Sequence, residues 1–271
     1  MFVPFATRLT GTALALLATA SSPFQSEPAP STPAATRPVE AIGYRVTATY
    51  PHDRTAFTEG LFWHDGALWE STGLEGRSDL RRVRLEDGAV KRRAVVPDRL
   101  FGEGIVRWGD EIVSVTWKTG AGFRWSLKDL KLRSRFRYPG EGWGLTSDTR
   151  SLILSDGTPS LRVLDPKSFA EQRRIAVTAN GRPLANLNEL EWIDGAIWAN
   201  VWMTRWIVRI DPASGAVTGA LDVQALMEQA GGDLQAATPN GIAYDPATRR
   251  VFVTGKNWSK LFVLSLDQPA R

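Results

Sequence analysis

A short pattern recurs five times along the chain of 271 residues, and its repetition predicts an all-β fold, a five-bladed β-propeller. Each copy has a Gly, replaced by Glu189 in the fourth, usually after a polar or aromatic residue, then alternating apolar residues, a tight turn and a second β-rich run. The copies are 44, 40, 45 and 52 residues apart, in line with about 40 to 50 residues for one four-stranded blade. They begin at Glu59-Gly60-Leu61, Glu103-Gly104-Ile105, Trp143-Gly144-Leu145, Asn188-Glu189-Leu190 and Asn240-Gly241-Ile242.

Two further strands follow the first hairpin of each of the first four copies. In the first copy they flank Glu86-Asp87-Gly88, whose Asp-Gly pair is a strong hairpin signal. Comparable pairs of β-rich runs follow in the second, third and fourth copies. Helices are nearly absent, and only residues 223–230 are expected to form one or two helical turns.

The two ends of the repeat array are complementary. The last copy ends after residues 260–266 without a fourth strand, while an additional strand, residues 44–50, precedes the first copy. We expect this N-terminal strand to complete the last blade and close the ring, because closure removes the exposed sheet edges that promote aggregation. A β-sandwich also has strands at regular spacing, but a strand missing at one end and spare at the other favours the ring.

The N-terminus has the pattern of a secretory signal peptide over residues 1–20. Arg8 is followed by an apolar run over residues 12–18 and by small residues up to Ala20, after which cleavage is expected. The apolar run is too short to span a bilayer, so we expect no stable membrane insertion after cleavage; an uncleaved tether is the alternative. The sequence therefore predicts export, to the periplasm or out of the cell.

The segment after the signal peptide differs in composition from the rest of the chain. Residues 21–41 are rich in Ser, Pro, Ala and Thr and too poor in apolar groups to form a core, so they are predicted to be a disordered linker. Residues 42–271 are predicted to be the β-propeller domain, a suitable length for one folded unit. We expect this domain to be monomeric.

The composition excludes several kinds of chemistry. The chain has no Cys and only His52 and His64, which excludes disulfides, cysteine nucleophiles and thiolate metal sites and argues against a multi-histidine zinc centre. Its 33 basic and 29 acidic residues are interspersed, whereas a nucleic-acid surface clusters its positive charge. We therefore predict no nucleic-acid partner, and catalysis is left to carboxylates, amides and lysine.

A propeller gathers side chains from all its blades at one mouth of the channel. The first strand of each blade lines the channel and runs antiparallel to the second, so the start of strand one and the end of strand two meet there. The residues expected at this mouth are Glu59, Glu103, Trp143, Asn188 and Asn240 from first strands, and Trp69, Glu70, Trp117, Lys118, Asp156, Trp202, Lys256 and Trp258 from second strands. Such a concave, largely apolar site with a few polar groups suits a small molecule.

Each of these residues also has a structural interpretation. Tryptophans often pack between sheets, as we expect of Trp63, Trp108 and Trp192 at turn entries, and Glu or Asn before Gly often fixes a turn. The matching positions of Glu59 and Glu103 in adjacent blades favour a functional site.

Seven motifs of the chain resemble those of the glutaminyl cyclases of the plant and bacterial type (glutaminyl-peptide cyclotransferases). The resemblance runs from about Gly43 to Leu266. It implies a five-bladed propeller that converts N-terminal glutamine of peptides to pyroglutamate and releases ammonia, an acyltransferase of the aminoacyltransferase class. The motifs are residues 51–61, 100–104, 116–118, 142–146, 188–192, 199–202 and 239–243.

The resemblance also implies roles for particular residues. The essential carboxylate falls on Glu103, and polar partners fall on Asn188 and Lys256. The substrate-binding residues are expected to be Phe57, Phe101, Trp117, Trp143 and Trp202, together with Asn240 from its place at the mouth. Many members of the family have Gln where this chain has Glu59, so a second carboxylate faces the first here, and two such groups tend to share a proton and raise one pKa. We include Glu59 in the catalytic set and expect the pH optimum to depend on it.

In the expected mechanism, the α-amine of the N-terminal glutamine attacks its own side-chain amide, and Glu103 acts as the proton shuttle. The expected partners are peptide or protein substrates that begin with glutamine. It requires no metal or cofactor, although a structural calcium ion in the channel is left open. One alternative is a calcium-dependent lactonase or esterase, with Glu59, Glu103, Asn188 and Asn240 as oxygen ligands. The other is a non-catalytic propeller that binds peptide or carbohydrate on its tryptophans.

Overall fold

The computed structural model describes residues 38–267, and these form five antiparallel four-stranded sheets around a central channel, as the sequence predicts. The innermost strand of each sheet packs against the innermost strand of the next, and the last packs against the first, so the ring is closed. The predicted signal peptide (1–20) and residues 21–37 of the predicted linker lie outside the described residues. No helix in the described range is long and apolar enough to cross a membrane.

Consecutive segments of the chain form consecutive blades, ordered from the channel outward. Before the first blade lie β1 (Glu40–Ala41) and β2 (Tyr44–Pro51). Blade 1 consists of β3 (Thr58–His64), β4 (Ala67–Thr72), β5 (Asp79–Val83) and β6 (Val90–Val95), and a 3-10 turn (Pro97–Arg99) follows it. Blade 2 consists of β7 (Gly102–Trp108), β8 (Glu111–Thr116), β9 (Ala121–Ser126) and β10 (Leu132–Arg137). Blade 3 consists of β11 (Leu145–Ser147), β12 (Leu152–Leu154), β13 (Ser160–Leu164) and β14 (Glu171–Ala176).

A short hairpin, β15 (Thr178–Ala179) and β16 (Arg182–Pro183), precedes the fourth blade. Blade 4 consists of β17 (Leu187–Ile193), β18 (Ala196–Val201), β19 (Trp206–Ile210) and β20 (Val217–Asp222). A helix, α1 (Gln224–Ala230), lies between blades 4 and 5. Blade 5 consists of β21 (Pro239–Asp245), β22 (Arg250–Gly255), β23 (Lys260–Leu266) and, as its outer strand, β2.

The N-terminal strand closes the ring, which confirms the predicted closure. β2 pairs antiparallel with β23 along its length. Beyond the strand, the His52 N–H donates to the Ser259 carbonyl at 3.0 Å, and the Asn257 N–H donates to the Ala56 carbonyl at 2.7 Å. Hydrogen bonds between the two ends of the chain therefore replace the sheet edges that an open array would expose.

One sheet has an extra strand that lies inside the predicted linker. β1 pairs in parallel with β20, with Glu40 opposite Gly219 and Ala41 opposite Ala220. The Ile42 N–H continues this pairing and donates to the Ala220 carbonyl at 2.8 Å. The last two residues of the predicted linker (21–41) therefore belong to a sheet. A strand of two residues has no periodicity that a sequence pattern can detect.

The hydrophobic core lies between neighbouring blades. Between blades 1 and 2, for example, Trp69 packs in one buried cluster with Phe123. Packing also explains the predicted structural role of Trp63, whose ring stacks on Phe252 with 4.8 Å between centroids. Aromatic side chains bury large apolar areas, which stabilises each interface between blades. Four of the eleven tryptophans are buried in such clusters: Trp69, Trp125, Trp198 and Trp258.

The repeat glycines are required by the close approach of innermost strands. A Cβ atom on Gly104 would lie 2.5 Å from the Leu145 amide nitrogen, and a Cβ atom on Gly144 would lie 2.0 Å from the Asn188 carbonyl oxygen. Both distances are well inside van der Waals contact, so only Gly lets the strands approach this closely. The glycine that defines the repeat in the sequence is thus a packing requirement of the channel.

The longest repeat spacing reflects an insertion between blades 4 and 5. α1 forms where the sequence predicts one or two helical turns, and it ends at Gly231, whose φ of 75° provides the left-handed helix cap. The loop that follows is held by Asp233, whose carboxylate accepts the N–H groups of Gln235 and Ala236, each at 2.7 Å. This loop leads into β21, the innermost strand of blade 5.

We expect Gly144→Ala to lower the free energy of unfolding by about 3 kcal/mol or more, because its new methyl group meets backbone of the next blade. The matched control is Gly109→Ala, at an exposed turn where nothing lies within 4 Å of the added Cβ and φ is 62°. There the left-handed backbone alone costs about 1 kcal/mol. Urea unfolding measures both changes, and equal losses would contradict the packing explanation.

Candidate active site

A cavity of about 290 Å³ opens where the sequence predicts a site, and residues from all five blades line it. Asn240, one of the ten predicted site residues, does not line it but binds Glu59 from behind. The closed ring therefore brings together side chains that are up to about two hundred positions apart in the sequence. The other nine predicted residues all line the cavity: Phe57, Glu59, Phe101, Glu103, Trp117, Trp143, Asn188, Trp202 and Lys256.

β-Bulges position the polar residues of the site. In blades 1, 2, 4 and 5 the pairing of the innermost strand with the second strand shifts register at the same point. A bulge bends its strand and redirects a side chain, and bulges are common beside active sites. The direction of these side chains therefore depends on a repeated β-bulge in the innermost strands as well as on the arrangement of the blades in a ring. The shifts fall at Glu59, Glu103, Asn188 and Asn240.

Two buried carboxyl groups, Glu59 and Glu103, interact in the cavity wall. Glu59 is 1% exposed and Glu103 is 5% exposed. The Glu59 carboxylate forms an ion pair with the Lys256 ammonium group and accepts a hydrogen bond from Asn240 Nδ2 at 2.9 Å. The Glu103 carboxyl group is close enough to Glu59 to be affected by its charge, and its Oε2 atom has no hydrogen-bond partner. Donors thus surround Glu59, whereas Glu103 keeps one oxygen available for another molecule.

The surroundings of the two carboxyl groups separate their pKa values. Burial raises the pKa of Glu59, and the Lys256 ammonium group counteracts this rise. Burial raises the pKa of Glu103 well above its ordinary value, and the negative charge of Glu59 raises it further. Glu103 therefore has the more strongly raised pKa of the pair and takes up a proton more readily than Glu59.

Aromatic rings form the walls around this pair. On one side, the Phe101 ring makes edge contacts with Phe57 and Trp117, with 6.2 and 5.4 Å between centroids. On the other, Trp143 and Trp202 meet edge to face at 5.5 Å. These walls exclude water from the carboxyl groups and strengthen the electrostatic interactions between them. The same surfaces suit the apolar part of a bound side chain.

The described residues contain five buried side-chain polar atoms without a hydrogen-bond partner, and all belong to this region. Glu103, Asn188 and Thr238 line the cavity, while Asn200 and Asn240 hydrogen-bond to residues of the same bulges. Burying an unpaired polar group costs about 1 to 3 kcal/mol. Because these unpaired polar atoms are concentrated around one cavity, we infer that a bound molecule forms hydrogen bonds with them. The atoms are Glu103 Oε2, Asn188 Oδ1, Asn200 Nδ2, Thr238 Oγ1 and Asn240 Oδ1.

The other residues predicted at the mouth do not line this cavity. Trp69 and Trp258 are core residues. Glu70 is buried in a separate polar cluster, where it accepts a hydrogen bond from the Thr58 hydroxyl at 2.7 Å. Second strands lie farther from the axis than innermost strands, which explains why their ends reach the cavity less often. The five residues are Trp69, Glu70, Lys118, Asp156 and Trp258.

Three residues that line the cavity are not predicted from the sequence: Gln235, Ala236 and Thr238. They come from the insertion between blades 4 and 5 and from the residue just before β21. None belongs to the repeat, so the repeat pattern does not mark them. The repeat spacing of 52 residues is the one signal of the extra segment.

A buried carboxyl pair with raised pKa values inside an aromatic cavity of a β-propeller is typical of an acid–base enzyme. A family model described as glutamine cyclotransferase matches residues 13–266, and the chain belongs to this family. A curated glutaminyl-peptide cyclotransferase of Arabidopsis thaliana is 39% identical over 227 residues, which cover 82% of this chain and 71% of the relative. The crystal structure of Myxococcus xanthus glutaminyl cyclase is 36% identical with a TM-score of 0.80, and the match covers 85% of this chain and 99% of that one. The predicted family and fold class are confirmed.

We expect Lys256→Met to lower the free energy of unfolding by about 3 to 5 kcal/mol at pH 8, because the Glu59 carboxylate is left buried without its counter-charge. Loss of the ammonium group raises the folded-state pKa of Glu59 further. Below this raised pKa Glu59 is protonated and uncharged, so the loss of stability is smaller at pH 5. The loss grows as the pH rises through that pKa and Glu59 ionises.

The double variant Lys256→Met with Glu59→Gln is the matched control, since it removes both charges of the pair. It should recover most of the lost stability. Urea unfolding at pH 5 and pH 8 measures all three variants. An equal loss at both pH values, or no recovery in the double variant, contradicts the ion-pair explanation.

Proposed function

We propose that this protein is a glutaminyl-peptide cyclotransferase, which converts the N-terminal glutamine of peptides and proteins to pyroglutamate and releases ammonia. The observation that carries the proposal is the Glu59–Glu103 pair, in which Glu103 has a strongly raised pKa and one unpartnered oxygen, enclosed by aromatic rings. The printed activities of the Arabidopsis and Myxococcus relatives support the same reaction.

The reaction closes a five-membered ring within one residue. The α-amino nitrogen of glutamine forms a bond to the side-chain amide carbon, and the bond from that carbon to the amide nitrogen breaks. The attacking nitrogen loses a proton, and the departing nitrogen gains one to leave as ammonia. A single group that accepts the first proton and donates the second balances the reaction. The raised pKa and free oxygen of Glu103 support its assignment as that group.

A raised pKa suits this exchange at neutral pH. The α-amino group of a peptide has a pKa of about 7.7 to 8.0, and its unprotonated form is the nucleophile. When the carboxyl and amino groups have similar pKa values, one proton passes between them at little cost. The ionised form of Glu103 takes a proton from the ammonium group, which frees the amine, and gives this proton to the leaving nitrogen. The attacking nitrogen loses its second proton to the Glu103 carboxylate, which releases it to solvent.

The remaining lining residues support ring closure by position and by charge. The aromatic walls hold the glutamine methylene groups in a folded conformation, and alignment of tethered reactants lowers the barrier by several kcal/mol. Asn188 and Lys256 are proposed to hydrogen-bond the oxygen of the amide carbon, where negative charge develops during attack. The Lys256 ammonium group also keeps Glu59 ionised, which maintains the raised pKa of Glu103.

We propose that the reaction requires no metal or cofactor. Both Glu59 oxygens already interact with donors, the Lys256 ammonium group and the Asn240 amide, and these donors disfavour a calcium ion in their place. Export to the periplasm or out of the cell is proposed from the N-terminal sequence, and a monomeric state remains part of the proposal.

The first experiment measures ammonia and pyroglutamate released from a Gln-Ala or Gln-Gln peptide by the purified domain. Wild-type protein should form both products in equal amounts. Glu103→Gln should abolish turnover and leave the unfolding transition intact, because an amide cannot shuttle the proton. More than a few per cent of wild-type activity in this variant would remove Glu103 from the proton-transfer role.

Chelation separates the main proposal from the calcium-dependent lactonase or esterase. Activity should survive dialysis against EDTA, and loss with recovery on adding Ca²⁺ would support the alternative. Peptide binding without product formation would support a non-catalytic propeller.

The pH profile tests the pairing of the two carboxyl groups. Glu59→Gln removes the negative charge that raises the pKa of Glu103, so that pKa falls and the acid limb of the kcat profile moves to lower pH. Gln still offers an oxygen to Lys256, which limits the loss of stability. The measurement is kcat for Gln-Ala between pH 5 and pH 10, with the exposed Glu86→Gln as the matched control. An unchanged acid limb in Glu59→Gln contradicts the assignment.

A further inference from the structure

Thr238 has a hydroxyl group that the fold does not use. The residue is fully buried, it lines the cavity, and its Oγ1 atom has no hydrogen-bond partner. Four other buried threonines bind a partner through their hydroxyl groups at 2.6 to 3.0 Å. Among the threonines of the described residues, Thr238 is the one whose hydroxyl oxygen is both buried and unpartnered, which costs stability in the free protein. The four are Thr58, Thr72, Thr116 and Thr254.

The backbone fixes this hydroxyl group in place. The Thr238 carbonyl accepts the N–H of Lys256 at 3.0 Å, and Pro239 follows it at the start of β21. A Cβ atom on Gly255 would lie 2.6 Å from the same carbonyl oxygen, so the neighbouring strand confines the residue closely. A hydroxyl group held on a constrained backbone needs little reorganisation when it binds a partner.

The other lining groups indicate which partner it takes. The positive charge of Lys256 is offset by the Glu59 carboxylate, and Glu103 is assigned to proton transfer. The amide carbonyl oxygen of glutamine gains negative charge when the amine attacks, and a donor that is not already paired adds to the hydrogen bonds proposed for Asn188 and Lys256. A threonine hydroxyl group donates one hydrogen bond and is not paired here.

We propose that Thr238 is a further catalytic residue, whose hydroxyl group donates a hydrogen bond to the side-chain carbonyl oxygen of the N-terminal glutamine and stabilises the charge that forms there. This inference rests on the proposed function. It extends that function to a residue outside the repeat, at the end of the insertion between the fourth and fifth copies. The bond strengthens as the oxygen becomes negative, so it lowers the barrier more than it tightens substrate binding.

The test compares Thr238→Val with Thr238→Ser on the Gln-Ala peptide. Valine keeps the shape and removes the hydroxyl group, so kcat should fall about 10- to 100-fold with KM changed less than about threefold. Serine keeps the hydroxyl group and should retain kcat within about threefold. The unfolding midpoint of Thr238→Val should stay the same or rise, because an unsatisfied buried polar atom has been removed.

Thr254→Val is the matched control, since Thr254 is as buried as Thr238 but its hydroxyl group donates to the Lys260 carbonyl at 3.0 Å. It should lower the unfolding midpoint and leave kcat unchanged. Unchanged kcat in Thr238→Val overturns the inference. So does a fall in its kcat that comes with a fall in its unfolding midpoint as large as that of Thr254→Val. Wild-type protein that forms no pyroglutamate would instead overturn the proposed function, so the two failures are distinguishable.

Discussion

Both the closed ring and the active site depend on the seam between the first and last blades. β2, the strand that precedes blade 1 in the chain, pairs with β23 inside blade 5 and thereby closes the ring. The ion pair between Glu59 of blade 1 and Lys256, at the end of the second strand of blade 5, crosses the same seam. Without the closure, Glu59 would lose its counter-charge, and Glu103 would lose the neighbouring negative charge that raises its pKa. Ring closure is therefore an electrostatic requirement of the site as well as a structural one.

The site gives up stability for reactivity. Two carboxyl groups and an ammonium group are taken out of water, and the unpartnered buried polar atoms of the described residues are all concentrated here. The rest of the propeller compensates through apolar clusters between blades. A proton donor and hydrogen-bonding groups that are already desolvated and oriented need little rearrangement when a substrate binds. Glu103 and Thr238 both have such buried, unpaired groups, although Glu103 belongs to the sequence repeat and Thr238 does not.

Most of the site follows from the sequence because a propeller repeats. Residues at equal positions in the copies share one mouth, so Glu59, Glu103 and Asn188 follow from the repeat itself, and the resemblance to the family adds aromatic residues such as Phe101. Asn240 occupies an equal position but lies behind Glu59, because the bulge in its strand directs its amide toward that carboxylate. Residues outside the repeat, such as Thr238, have no positional signal, and only packing brings them to the cavity.

The sequence by itself determined the number of blades, the closing strand, the family and the pair of carboxylates, since these depend on spacing and residue type. Tertiary structure alone decided which carboxyl group has the more strongly raised pKa, because that difference depends on the Lys256 ammonium group, about two hundred positions from Glu59, and on the burial of both acids. It also decided which polar atoms remain unpaired. Spacing along a chain reports periodic geometry, whereas electrostatics depends on distances that exist only in the folded ring.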